Sequence, residues 1–408
     1  LGTRIAAALL VILVASSAFA EPRLGLSTTG PIASSKLVAL TADGGIALEA
    51  AGKRRNYPAD KLVLWGQASE PRRGPVIVLA DGSRIVAEPI ALNSEELRID
   101  SRLLGELALT RNTVRGIVYR LPSDARERDR LFEKIAVRRE AGDWLLLANG
   151  DELTGRTTGQ KSADDENEER LLFAVGQSKE PATLGFSKLA AVAFDSVLID
   201  DSTPRAKHVL AGLRDGSSLV VASTAAKAGR YELALACGLK VRIEDDALDD
   251  DITCWQPLGC GVVYLSDLRD AGYKHIPFLT EGWPYHKDRN CHGDRLRAGG
   301  AIYAKGLGMR STSRLAYDLD DDYKQFCAEL ALDQSAGPRG SVIYRVFTAA
   351  EGGAFKSAYE SPIIRGGDAP LSIAVDLTGI KRLALIVDFA ERGDECDDAD
   401  WLNARLVK

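Results

Sequence analysis

Along the first 260 residues, short apolar runs alternate with turns built on glycine. Residues 37–40 (Leu-Val-Ala-Leu) precede Asp43-Gly44, and residues 76–79 (Val-Ile-Val-Leu) precede Asp81-Gly82. Residues 145–147 (three leucines) precede Asn149-Gly150, and residues 209–213 precede Asp215-Gly216. Asp-Gly and Asn-Gly tolerate the positive φ that a two-residue hairpin turn needs, so each marks a β-hairpin. More strand-like stretches follow each hairpin. After the second they are residues 96–99, 105–109 and 114–119. Five short strands in about 45 residues suffice for a small barrel or a sheet layer. Four such copies predict a β-repeat region. Residues 189–194 close the third copy, and residues 261–264 are the stretch expected to close the fourth.

Two stretches depart from this rhythm. Residues 123–140 carry Leu131, Phe132, Ile135 and Val137 at helical spacing after a Ser-Asp start, which predicts a short connecting helix. Residues 162–169 are an acidic run and read as a loop.

Beyond residue 264 the apolar positions alternate more densely. Residues 300–305, 314–319, 325–332, 341–347, 369–377 and 382–389 all read as short strands. Such strands at roughly even spacing predict a jelly-roll β-sandwich. Composition changes at the same place. Residues 21–254 hold nine aromatic residues, whereas the shorter 255–408 holds sixteen, so a domain boundary is expected near 250–262. The fold class expected is therefore all-β, with small β-repeat modules followed by a jelly-roll sandwich. The expected division is a signal peptide (1–20), copies 1–2 (21–122), a helical connector (123–141), copies 3–4 (142–254) and a C-terminal module (255–408).

Charge and cysteine content narrow the function classes. The formal charge is −6, which lacks the footprint of a nucleic-acid binder. Arg4, the apolar residues 5–14 and Ala18-Phe19-Ala20 make a secretory signal peptide. A secreted or periplasmic protein, without a membrane span after cleavage, is expected. The six cysteines permit disulfides in such a compartment without fixing their pairing, and no Cys-x-x-Cys occurs. The N-terminal region holds one histidine, His208, with no nucleophile set beside it, so no catalytic constellation is legible there.

The C-terminal region carries a family resemblance. Tyr264-Leu265-Ser266-Asp267-Leu268, Asp288-Arg289 and Lys305-Gly306-Leu307-Gly308-Met309 come in order, followed by Ser313, Tyr317-Asp318-Leu319, Leu332-Asp333, Gly340-Ser341-Val342, Asp376-Leu377-Thr378-Gly379 and Asp400-Trp401. Residues 264–408 in this way resemble the NPCBM/NEW2 family of carbohydrate-binding modules. The resemblance implies a galactose-binding-like jelly roll and a glycan partner, galactose-type or another polysaccharide.

Sugar recognition needs an aromatic face for the ring and polar groups for its hydroxyls. The Pro-flanked stretch 283–292 offers both, so Trp283, Tyr285, Asp288, Arg289 and His292 are the expected binding residues. His275, His286 and His292 fit no zinc signature by spacing. Asp397, Asp398 and Asp400 form an oxygen-rich cluster that is a candidate for calcium, although no cofactor is required. The function expected is non-catalytic glycan binding by an exported protein. A structural or adhesion protein of the envelope is the alternative, and an accessory part of a glycoside hydrolase ranks below both, because paired carboxylates on a large scaffold are not legible.

Overall fold

The structure is a computed structural model, and it describes residues 23–162, 169–176, 178, 180–200, 207–277 and 282–408. The expected signal peptide (1–20) and most of the acidic run, residues 163–168, lie outside the described residues. The protein is mostly β, with several distinct sheets. No described helix is long and apolar enough to cross a membrane.

Each repeat copy returns on itself, its last strand pairing antiparallel with its first. In the first copy Arg23–Ser27 meets Leu62–Gly66, with Gly25 opposite Trp65. In the second Val76–Leu79 meets Val114–Val118, with Ile77 opposite Ile117. In the third Asp143–Leu147 meets Leu189–Ala193, and in the fourth His208–Leu213 meets Ile252–Leu258. The closing strands then pair with one another across copies, Trp65 opposite Trp255 and Ile117 opposite Val192. A closing strand therefore has neighbours on both edges, which explains why Val114–Val118 is buried throughout.

Two details differ from the sequence pattern. The Asp43-Gly44 turn joins Gly30–Leu40 to Ile46–Ala50, the second and third strands of its copy, whereas Asp81-Gly82 and Asp215-Gly216 join the first to the second. The fourth copy is closed by Ile252–Leu258, so the expected 254/255 division falls inside a strand. Residues 261–264 do not close it, because Val262–Tyr264 pairs instead with Asp398–Val407. Between them Gly261 lies at φ 62, and a Cβ there would meet the Asp60 carbonyl at 1.9 Å. Only glycine lets the chain turn so close to the first copy.

The connecting stretch is helix α1 (Ala125–Val137), begun by Asp124, whose carboxylate accepts from the Arg126 and Glu127 amides. Its Leu131, Phe132 and Ile135 are buried against Val76, Val118 and Trp144. Asp129, on another side of the helix, faces the C-terminal half.

That half has two six-stranded sheets facing one core. One carries Gly306–Arg310, Asp398–Val407, Gln325–Leu332 and Leu371–Asp376. The other carries Ser313–Asp318, Arg382–Phe389, Ser341–Ala349 and Lys356–Glu360. Phe326, Tyr344 and Trp401 meet in the core, the Tyr344 and Trp401 rings edge-on at 5.0 Å. Asp398–Val407 is buried along its whole length. One face looks into this core, while on the other side Val407 joins Val63, Leu258 and Tyr264 in a second apolar cluster. Polar contacts reinforce the junction. Arg297 donates to both oxygens of Asp129 (2.6 and 2.9 Å) and to Glu70, and Arg128 also pairs with Glu70.

Candidate functional site

The stretch 282–297 leads from the sheet containing Gly306–Arg310 into a separate two-stranded ribbon, Leu296–Ala298 paired with Ala301–Tyr303. His286 and Lys287 pair with Gly308 and Leu307, which anchors its start. Gly308 explains the closeness of the next residues, since a Cβ there would meet the Asn290 backbone at 2.4 Å. Asn290 is buried and holds the turn from within. Its side-chain oxygen accepts from the His292 and Asp294 amides, and its Nδ2 donates to Asp333 at 3.1 Å. A buried amide with its bonds made specifies one loop conformation.

Of the five expected binding residues, Trp283 and His292 come together, their rings edge-on at 5.6 Å. The Arg310 guanidinium covers the Trp283 ring at 4.7 Å. Trp283 is held by its backbone, the amide donating to His275 Nδ1 at 3.1 Å and the carbonyl accepting from the Tyr273 hydroxyl at 2.8 Å. The other His275 nitrogen, Nε2, lies 3.0 Å from the Ser311 carbonyl, which fits the neutral ring with its proton on Nε2. His292 Nε2 lies 2.9 Å from Asp398 Oδ2, which orients the imidazole.

The other three turn elsewhere. The Tyr285 hydroxyl donates to Asp270 at 2.6 Å, and its ring leans on Tyr273. Burial, with Asp270 beside it, raises this phenol above its ordinary range. Asp288 sits at φ 56 and accepts from Lys305 Nζ (2.9 Å) and the Gly306 amide (3.1 Å), locking the loop to the sheet. Arg289 reaches across to α1, where it meets Glu133 at 3.0 Å. The sequence pattern singles out neither Asn290 nor Arg310, and it offers His275 only among histidines that fit no zinc signature. Asn290 lies within the expected binding stretch 283–292, whereas His275 and Arg310 come from other segments that the fold brings to it.

The three expected calcium ligands do not gather round one point. Asp397 accepts from Ser311 Oγ (2.7 Å) and the Ser341 amide (2.8 Å), and burial pushes its carboxyl up to about 6. Asp400 is fully buried, and neither of its oxygens has a hydrogen-bond partner. Burial, then the neighbouring Asp333, pushes it well above the ordinary carboxylate range. Asp398 instead joins Cys291 and His292, whose ligand atoms all lie within 4.8 Å of one another. A sulfur, a nitrogen and an oxygen suit a transition ion such as zinc better than calcium, which prefers six to eight oxygens. All six cysteines are free thiols, and burial raises the Cys291 thiol.

Residues 261–407 match the NPCBM/NEW2 domain family. A "Putative endo-alpha-N-acetylgalactosaminidase" of Renibacterium salmoninarum is 30% identical over 151 residues, 35% of this chain and 9% of that protein. Alpha-1,3-galactosidase B of Akkermansia muciniphila is 32% identical over 120 residues, 28% of this chain and 14% of that protein. The chain thus aligns with a small part of either relative. Among solved structures, CBM51 of a Clostridium perfringens GH95 protein, in complex with methyl-galactose, is 22% identical. The match covers 36% of this chain and 99% of that one, with a TM-score of 0.32. The tandem CBM51 modules of a Streptococcus pneumoniae family 98 glycoside hydrolase cover 65% of this chain and 87% of that one, at 12% identity and a TM-score of 0.30.

Proposed function

We propose that residues 261–407, as an NPCBM/NEW2 domain, form a jelly-roll module that binds a glycan reversibly and without chemistry. The observation that carries this reading is the group formed by Trp283, His292 and Arg310, with Asp398 behind it. The half-buried Trp283 supplies an apolar face, and the imidazole and guanidinium supply donors for sugar hydroxyls. Asn290 and His275 hold this group in place, which lowers the cost of ordering it on binding. The repeats then serve as the scaffold, and the two parts meet at residues 259–261. Cys291, His292 and Asp398 are candidate ligands for a transition ion that would steady the same loop.

The two curated relatives are named for enzymes acting on galactose-type sugars, so neutral galactosides are the first ligands to try. Titration of the full chain with such oligosaccharides, followed by tryptophan fluorescence, is expected to give saturable binding. Trp283→Ala is expected to weaken it roughly tenfold or more, as loss of one aromatic sugar contact would. Binding unchanged in that variant would move the site away from Trp283. A chelator that leaves binding intact would remove the metal from the account.

A further inference from the structure

Helix α1 and residues 289–295 enclose a cavity of about 300 Å³, at the small end of ligand sites and large enough for one sugar residue. Its walls bring arginines from three distant segments together: Arg84, Arg130 on α1, and Arg289 with Arg295 from the loop. The acids on the same walls are already engaged. Asp129 is taken on both oxygens by Arg297, Glu133 pairs with Arg289, and Asp294 meets Arg126 at 3.8 Å. Arg84, Arg130 and Arg295 make no side-chain hydrogen bond or ion pair with any described carboxylate. The Arg84 guanidinium lies on the Phe132 ring at 4.1 Å, which holds it without neutralising it.

Crowding the partly buried Arg84 and Arg295 together with no carboxylate in direct contact is costly, and an anion would complete the site. The cost is visible at Arg84, where burial and the neighbouring Arg295 push the guanidinium down to about 9. Burial lowers Arg295 as well. Planar guanidinium forks match carboxylate and sulfate oxygens in pairs. His292 lines this cavity and also touches Trp283, so the cavity opens beside the aromatic group described above.

We infer that this cavity binds the carboxylate or sulfate group of an acidic glycan whose neighbouring sugar lies on Trp283. The assignment rests on the glycan-binding reading and sharpens it to a ligand class. It also makes the ligand site composite, because Arg84 comes from the repeat region and Arg130 from the connecting helix.

The test titrates the full chain, by calorimetry, with four probes: a neutral galactose oligosaccharide, an oligogalacturonate, a sulfated galactose oligosaccharide and inorganic sulfate. Arg84→Gln and the exposed Arg130→Gln are run in parallel, with circular dichroism and melting to confirm that each is folded. At least one acidic oligosaccharide is expected to bind roughly tenfold or more tightly than the neutral one. Each variant is expected to shrink that advantage while leaving neutral binding in place. The carboxylate and sulfate arms then tell which anion is carried. Equal binding of neutral and acidic probes overturns the inference and leaves the glycan reading standing. Inorganic sulfate bound without any oligosaccharide overturns the glycan reading, and with it this assignment. Arg130→Gln keeps the question open to measurement should Arg84→Gln fail to fold.

Discussion

Asp400 is a buried acid with no donor to meet it. Its backbone is fixed between Gly308 and Ala331 of the two flanking strands, which leaves its carboxyl facing Asp333. Asp333 is itself occupied as the cap of the following turn, accepting from the Ser335 amide. A proton on Asp400 is the simplest way to remove one of two adjacent charges. A folded-state value raised above the unfolded one means that the native state holds more protons between the two. Stability from this group is thus complete below about pH 4, the unfolded value, and falls as pH rises toward the folded one. Asp400→Asn should remove that slope and be neutral or stabilising by about 1 kcal/mol at pH 7, because an amide can donate to Asp333. Urea unfolding of both proteins from pH 5 to 8 measures it. Destabilisation by several kcal/mol at pH 7 would show that Asp400 works as an anion. The residue type alone could not reveal this, because in the sequence Asp397, Asp398 and Asp400 look like equivalent oxygen donors.

Helix α1 was legible as a helix because Leu131, Phe132 and Ile135 recur on one side and Asp124 caps its start. Its partner surface was not. Nothing in the spacing marks Asp129 as buried, yet it is 8% exposed and joined to Arg297 on a segment 168 residues away. The helix therefore works as a bracket between the halves, beyond its part as a connector. Removing Arg297 strands a buried carboxylate, and Arg297→Ala is expected to cost roughly 3–5 kcal/mol. Denaturant unfolding of the full chain checks it. A loss below 1 kcal/mol would place the strength of the junction in its apolar contacts.

At the scale of the whole molecule the two halves share a junction of apolar cluster and ion network. The pH dependence of the junction follows from Glu70 and Asp129. Burial alone would raise both, but the hydrogen bonds and charges of Arg297, joined at Glu70 by Arg128, hold both below their ordinary values. A carboxyl lowered in the folded state stabilises fully above its unfolded value, about 4 to 4.5, and loses that as pH falls through the lowered one. Urea unfolding is accordingly expected to be one transition at pH 7 and two at pH 3, with Arg297→Ala splitting it already at pH 7. A single transition at both pH values would mean that apolar contact alone couples the halves.

The sequence by itself determined whatever depends on neighbours along the chain. Hairpins follow from Asp-Gly and Asn-Gly, strands from alternation, the helix from its spacing and cap, and the C-terminal family from ordered motifs spread over some 145 residues. Pairing across the chain was decided only by the tertiary structure. The return of each copy's last strand to its first, the closure of the fourth copy by Ile252–Leu258, and the meeting of Trp283 with His292 and Arg310 all depend on register between distant segments. So does the arginine-lined cavity, whose residues lie on Arg84–Val86, α1 and the 289–295 loop. Local propensity acts over a few residues, whereas a site is made where burial drives separate segments together, and a single sequence records the first far more openly than the second.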